Sequence, residues 1–233
     1  MEQKHNYQLE LEKIIKQLQE GQGRAAEAGT VRPTLLLHAC CAPCSSYCLE
    51  YLRQWFDITV FYFNPNITEE QEYRKRVEEE KRLIKSMNEE AGLTGSVSEI
   101  KIMEGRYEPS EFLEIAKGYE ECPEGGERCE RCFRQRLMES AKAASEGGFD
   151  FFTTTLTISP LKNAELLNSI GREAGEKYGI AFLPSDFKKK GGYQRSIELS
   201  KEYHLYRQDY CGCGYSKAEA QKRRQDREVQ REG

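Results

Sequence analysis

The stretch TLLLHACCAPC, residues 34–44, decides how the rest of the chain is read. Thr34–Ala39 is a short, unbroken apolar run, the pattern of a parallel strand buried on both faces. Two adjacent cysteines, Cys40 and Cys41, follow at once, and the residues after them look helical to about Trp55. A strand that delivers reactive side chains at its carboxyl end and then turns into a helix is the ligand-binding corner of an open α/β sheet.

Working outward, the same alternation recurs. Ile58–Phe63 (ITVFYF) is β-branched and aromatic, a second strand. Residues 68–91 carry Glu, Lys and Arg at helical spacing, with Gly92 as the expected stop. Val97–Met103 alternates as a third strand, Pro109 opens a helix over 110–119, and a loop holds Cys122. A helix runs from Cys129 to about Ser145, ended by Gly147-Gly148, and Phe149–Leu156 is a fourth strand. Pro160–Tyr178 is a helix, Ile180–Pro184 a fifth short strand, and Gly191 to about His204 a further helix. Strands alternating with helices predict an α/β fold. The expectation is a single domain with a mostly parallel, doubly wound, Rossmann-like sheet flanked by helices. The boundaries expected are 1–30 for an N-terminal helix (8–20, stopped by Gly21 and Gly23) and linker, 31–215 for the α/β domain, and 216–233 for a charged, exposed tail.

Composition narrows the function classes. The 233 residues include 35 basic and 39 acidic side chains, a net charge of −4, so the surface as a whole does not bind a polyanion, although a local basic patch can. There is no run of 18 apolar residues to span a membrane and no secretory leader, so a cytoplasmic protein is expected. Nine cysteines, an odd number, then argue against a disulfide framework and for metal or redox chemistry.

The cysteines fall in three clusters. Cys40 and Cys41 lie at the first strand's end, with Cys44 and Cys48 on the helix after it, Cys48 reading as a helix-face packing residue. Cys129-Glu-Arg-Cys132 is a C-x-x-C at a helix start. With Cys40 and Cys41 it makes four thiolates. Adjacent cysteines are expected to diverge, which suits the separate corner irons of a cubane better than one tetrahedral zinc, and favours iron–sulfur. The third cluster, Cys211-Gly-Cys213, reads as a redox-active pair or a further metal half-site, with the redox pair preferred because four other cysteines already complete a shell. Cys122 has no assigned partner.

Other ligand-edge residues are Asn64-Pro65-Asn66 after the second strand and Thr155, Thr157, Ser159 and Lys162 after the fourth. Lys188, Lys189, Lys190 and Arg195, in a Gly-containing loop opening a helix, are the candidate phosphate-binding patch. His38 in its apolar strand is expected to be a satisfied core residue. No S-G-G-x-D-S phosphate loop, P-loop or dinucleotide fingerprint follows a strand, which disfavours ATP chemistry.

These motifs together, HACCAPC (38–44), FYFNPNI (61–67), RCERCFRQRL (128–137), TTTLTISPLKN (153–163) and the long run from Ser185 to Ser216, resemble the cobalamin-independent epoxyqueuosine reductase family. The match runs from about residue 33 to 215. The resemblance implies reduction of the epoxide of epoxyqueuosine at the wobble position of tRNA, the last step of queuosine biosynthesis. It implies a [4Fe-4S] cluster on Cys40, Cys41, Cys129 and Cys132, with Cys211 and Cys213 as the catalytic redox pair. It leaves room for an additional iron, with Cys44 and Cys122 as extra candidate ligands. Lys162, Lys188, Lys189, Lys190 and Arg195 become candidate tRNA contacts, and Asp186, Asp209 and Tyr210 candidate proton donors. An electron donor of unknown identity and no membrane are expected. The competing readings are a zinc-stabilised RNA-binding module without catalysis and an iron–sulfur tRNA sulfurtransferase.

Overall fold

The computed structural model describes residues 5–24, 32–94 and 97–232. Five strands form one parallel sheet: β1 (Thr34–His38), β2 (Asp57–Tyr62), β3 (Lys101–Glu104), β4 (Phe151–Thr154) and β5 (Ala181–Phe182). Their order across the sheet is β3-β2-β1-β4-β5. The chain winds one way from β1 to β3 and the other way from β4 to β5. The switch point therefore lies between β1 and β4, where the carboxyl ends of two strands open a crevice.

Eight helices accompany the sheet among the described residues: α1 (Tyr7–Arg24), α2 (Ala42–Leu52), α3 (Glu70–Thr94), α4 (Pro109–Ala116), α5 (Glu127–Glu146), α6 (Ala164–Tyr178), α7 (Gly192–Glu202) and α8 (Gly214–Glu232). The unbroken apolar strands are explained by burial on both faces. Leu35 and Leu37 of β1 pack with Ile58, Val60 and Tyr62 of β2 against α1, α2 and α3. Leu36 packs with Phe61 and Phe152 on the opposite face, against α5 and α6. The five-residue β1, at about 3.3 Å per residue, crosses this core, and no side chain of Leu35–His38 reaches solvent.

Several boundaries differ from expectation. Helix α1 runs through Gly21 and Gly23, and α3 runs through Gly92 to Thr94. A helical glycine costs about 1 kcal/mol, which neighbouring turns can absorb. Residues 25–31 of the expected linker lie outside the described residues. β3 begins at Lys101, not Val97, because only 101–104 find a partner in β2. β4 is four residues long: after Thr154 the chain tightens into a 3₁₀ turn over Thr155–Ile158, with the Thr154 hydroxyl accepting the Leu156 N–H. Helix α6 starts at Ala164, where the Asn163 side chain caps the Glu165 and Leu166 N–H groups, leaving Pro160–Lys162 as loop. The charged C-terminal segment is helical but not wholly exposed. Ser216 and Ala220 are buried, and Glu219 pairs with the buried Arg128.

Candidate metal and redox site

The site grows from the β1–β4 switch point. His38, the last residue of β1, is fully buried, its Nδ1 2.8 Å from the Thr154 hydroxyl and its Nε2 3.1 Å from the Phe63 carbonyl. Burial, then the neighbouring Arg136 charge, push its pKa down to about 3, so the ring is neutral. His38 is the satisfied core residue expected of it. Two residues on, Cys40 takes its N–H to the Thr155 hydroxyl and its sulfur also faces that hydroxyl at 3.6 Å. The 3₁₀ turn after β4 thus cradles the cysteine delivered by β1.

The sulfurs of Cys40, Cys41 and Cys44 lie within 4.8 Å of one another, with Cys40 and Cys41 3.8 Å apart. The expectation that adjacent cysteines diverge is not met. Cys41 sits in extended backbone immediately before α2, and that turn brings its sulfur back over Cys40. Hydrogen bonds from the Cys41 and Cys44 thiols hold the Cys40 pKa well down, while Cys41 is pushed up to about 12 and Cys44 is raised, so the trio holds one thiolate between two donors. A tetrahedral thiolate site with metal–sulfur bonds of about 2.3 Å separates its sulfurs by about 3.8 Å. The donor set therefore fits a thiophilic metal.

Cys129 and Cys132 occupy the first turns of α5, and both line one small cavity. Cys129 accepts the Gly125 N–H at 3.2 Å and packs at the edge of an apolar cluster that includes Phe133, Leu137, Cys40 and Cys41. Cys132 is buried beside Cys213, Phe112 and Ala116. Burial raises the pKa of both thiols, Cys132 to about 12. Cys211 accepts a long contact from the Asn66 amide at 3.9 Å, while the Cys213 sulfur accepts the Ser216 N–H at 3.3 Å at the start of α8. All of these cysteines are free thiols. Between them Gly212 has φ +130°, and a Cβ there would lie 2.7 Å from the Ile67 side chain, so only glycine fits.

Two spaces meet here. A narrow internal cavity, with room for little more than one water, touches Cys129, Cys132, Cys211 and Cys213. A cleft of about 610 Å³ opens to solvent and is lined by Cys40, Cys41, Cys44 and Cys211. Cys211 and Lys162 wall both. Burial lowers the Lys162 pKa, but Cys211, Cys40 and Cys44 outweigh it and hold the ammonium charged.

Of the residues expected to contact RNA, Lys162 alone is brought to the cleft. Lys188 is 2.6 Å from Asp186, Lys190 pairs with Glu12 of α1, and Arg195 pairs with Glu50 and Glu202. Lys189 is exposed with no carboxylate partner among the described residues. The cleft wall also carries Arg76, Arg207 and Tyr193, which the sequence reading did not single out, and Arg224 of the charged C-terminal segment. Tyr210 and Asp209 line it as well, whereas Asp186 does not. Also missed were three fully buried arginines, Arg76, Arg128 and Arg136. Their signal was available: Arg128, Cys132 and Arg136 follow one another at i, i+4, i+8 and so share the buried stripe of α5. Cys122 stays half-buried, its carbonyl held by Arg128, and Cys48 is packed in the core as expected.

Comparison with known proteins agrees with this geometry. A family model described as epoxyqueuosine reductase QueH matches residues 35–219. An epoxyqueuosine reductase QueH of Staphylococcus epidermidis is 44% identical over 216 residues, covering 92% of this chain and 85% of the relative. Proteins of the same name from Streptococcus pyogenes and Thermotoga maritima are 42% and 36% identical, over 91% and 78% of this chain and 79% and 90% of theirs. With the cysteine-lined crevice and nearly the whole α/β domain inside the match, the chain belongs to the epoxyqueuosine reductase QueH family.

Proposed function

We propose that this oxidoreductase converts epoxyqueuosine in tRNA to queuosine, with the wobble nucleoside entering the 610 Å³ cleft at the β1–β4 switch point. One observation carries the reading: Cys40, Cys41, Cys44 and Cys211 share the wall of a single solvent-open cleft. No described helix is long and apolar enough to cross a membrane. The half-buried Tyr210 ring, backed by the Arg76 guanidinium at 5.0 Å, is a ready stacking surface for a nucleobase. Lys162, Arg207 and Arg224 supply positive charge around it for phosphates.

Epoxide deoxygenation takes two electrons and two protons and yields an alkene and water. The Cys211–Cys213 dithiol supplies both when it closes to a disulfide, and an external donor of unknown identity then reopens it. Asp209 and Tyr210, on the cleft wall, are better placed than Asp186 to pass a proton to the departing oxygen. Cys40, Cys41, Cys129 and Cys132 would hold a [4Fe-4S] cluster, which supplies one-electron transfer when bound. The close trio supports Cys44 as a residue that would help hold an additional iron.

The test is anaerobic purification with iron, sulfide and zinc analysis, followed by assay on tRNA bearing the epoxide. Wild type should be brown and active, and Cys41→Ser and Cys129→Ser should lose iron and activity together. A colourless, fully active protein with about one zinc per chain would sink the cluster assignment. Release of a thiolated nucleoside would favour the sulfurtransferase.

A further inference from the structure

Three arginines are fully buried around the cysteines, and their partners differ. Arg76 pairs with Glu72 at 2.7 Å, and Arg128 pairs with Glu219 at 3.3 Å while binding three loop carbonyls. Arg136, with no exposed surface, has no carboxylate partner among the described residues. Its Nη2 donates to the Asn64 side-chain oxygen at 2.6 Å, its Nε faces the His38 ring at 3.3 Å, and its Nη1 lies 4.0 Å from the Cys132 sulfur. Asn64 is a neutral amide, and an imidazole ring brings no negative charge to Arg136. An isolated buried cation costs several kcal/mol, so a fold retains one where an anion sits within reach. The side chain of opposite polarity nearest its charge is the Cys132 sulfur, and the Cys211 and Cys40 sulfurs act on it as well.

The same contacts join the two halves of the thiolate set. Cys132 lies one turn before Arg136 on α5. Asn64, held by Arg136, passes its own amide N–H to the Ala39 carbonyl at 2.8 Å, one residue before Cys40. A path of direct contacts thus runs from Cys132 through Arg136 and Asn64 to the end of β1.

Resting on the iron–sulfur reading above, we propose that the Arg136 guanidinium is the fixed counter-charge of the thiolate-bound centre, raising its reduction potential while tying α5 to the end of β1. A thiolate-ligated cluster is anionic and gains one negative charge on reduction. A cation fixed in a low-dielectric interior therefore favours the reduced form over the oxidised form. Arg136 is on this view a positioning and tuning residue, since it reaches the sulfurs and not the substrate cleft.

The test is the midpoint potential of the loaded protein, read by spectroelectrochemistry, for wild type, Arg136→Gln and Arg136→Lys. Arg136→Gln should favour the oxidised centre at least tenfold, a fall of about 59 mV for one electron. Arg136→Lys, which keeps charge but loses the planar fork, should recover most of that shift. Loading of iron and sulfide by the Lys but not the Gln variant would also support the proposal, because charge and not the hydrogen-bond fork would then be the requirement. Equal potentials in Arg136→Gln and wild type overturn it. So does failure of both variants to load, which assigns Arg136 to structure alone. Wild type without iron–sulfur absorption refutes the cluster reading itself, whereas a normal wild-type spectrum with an unmoved potential refutes only the role of Arg136.

Discussion

Glu80 lies on α3 with no exposed surface, and neither carboxylate oxygen has a hydrogen-bond partner among the described residues. Burial, with a smaller contribution from Cys40, pushes its pKa from 4.5 up to about 8, and the nearby Ser45 hydroxyl, which donates to the Cys41 carbonyl, offsets only part of this. The folded protein therefore holds this proton more tightly than the unfolded chain does. Between pH 4.5 and 8 the folded state binds more protons at this site, so stability is present at low pH and is lost as pH rises. At 1.36 kcal/mol per pKa unit, the loss is about 1 kcal/mol at pH 5 and about 3 kcal/mol at pH 7. Glu80→Gln keeps the shape and removes the titration. Urea unfolding of both proteins, reduced and chelated, at pH 5, 6 and 7 gives the difference in stability at each pH. The variant should gain on wild type by about 2 to 3 kcal/mol between pH 5 and pH 7, whatever constant offset the amide introduces. A difference that stays flat across this range would mean that Glu80 titrates normally in the folded protein, and the reasoning from burial would fail.

Turnover without reductant should leave Cys211 and Cys213 joined, seen by mass spectrometry as a peptide two hydrogens lighter. Cys213→Ser should keep its metal and lose multiple turnover, and a variant that cycles normally would remove the dithiol from the mechanism. Replacing Lys188, Lys189 and Lys190 together by Ala should change the salt slope of tRNA binding by less than about 1, because Lys188 and Lys190 are already paired with Asp186 and Glu12. Lys162→Ala with Arg207→Ala should change it by about 1 to 2, measured by filter binding over a salt series. The reverse ranking would place the RNA on the lysine loop. Gly212→Ala should cost about 1 to 3 kcal/mol in thermal unfolding, given its φ of +130° and the Ile67 side chain 2.7 Å from a new Cβ. A neutral effect would show that the loop yields.

Much of this protein was legible in one dimension because the information was local. The apolar run at Thr34–His38, the cysteines after it and the C-x-x-C at the start of α5 each depend on neighbours in sequence. Periodicity of 2 against 3.6 separates strand from helix without knowing what packs where. Boundaries were less legible at Gly21, Gly23 and Gly92, since a small local cost does not stop a helix supported elsewhere. The site was legible as a set of cysteines but not as an arrangement. That Cys40 and Cys41 converge to 3.8 Å depends on the turn into α2 and the Thr155 cradle from β4, 115 residues away. The basic loop looked free in sequence because Glu12 and Glu50, which pair with Lys190 and Arg195, lie 178 and 145 residues away. Arg136 shares a helical stripe with Cys132, but what that stripe is buried against, the His38 ring and Asn64 at the strand ends, came only with the tertiary structure. Burial and long-range charge pairing depend on residues distant in the chain, so only the tertiary structure decided which cations line the open cleft and which are buried beside sulfur.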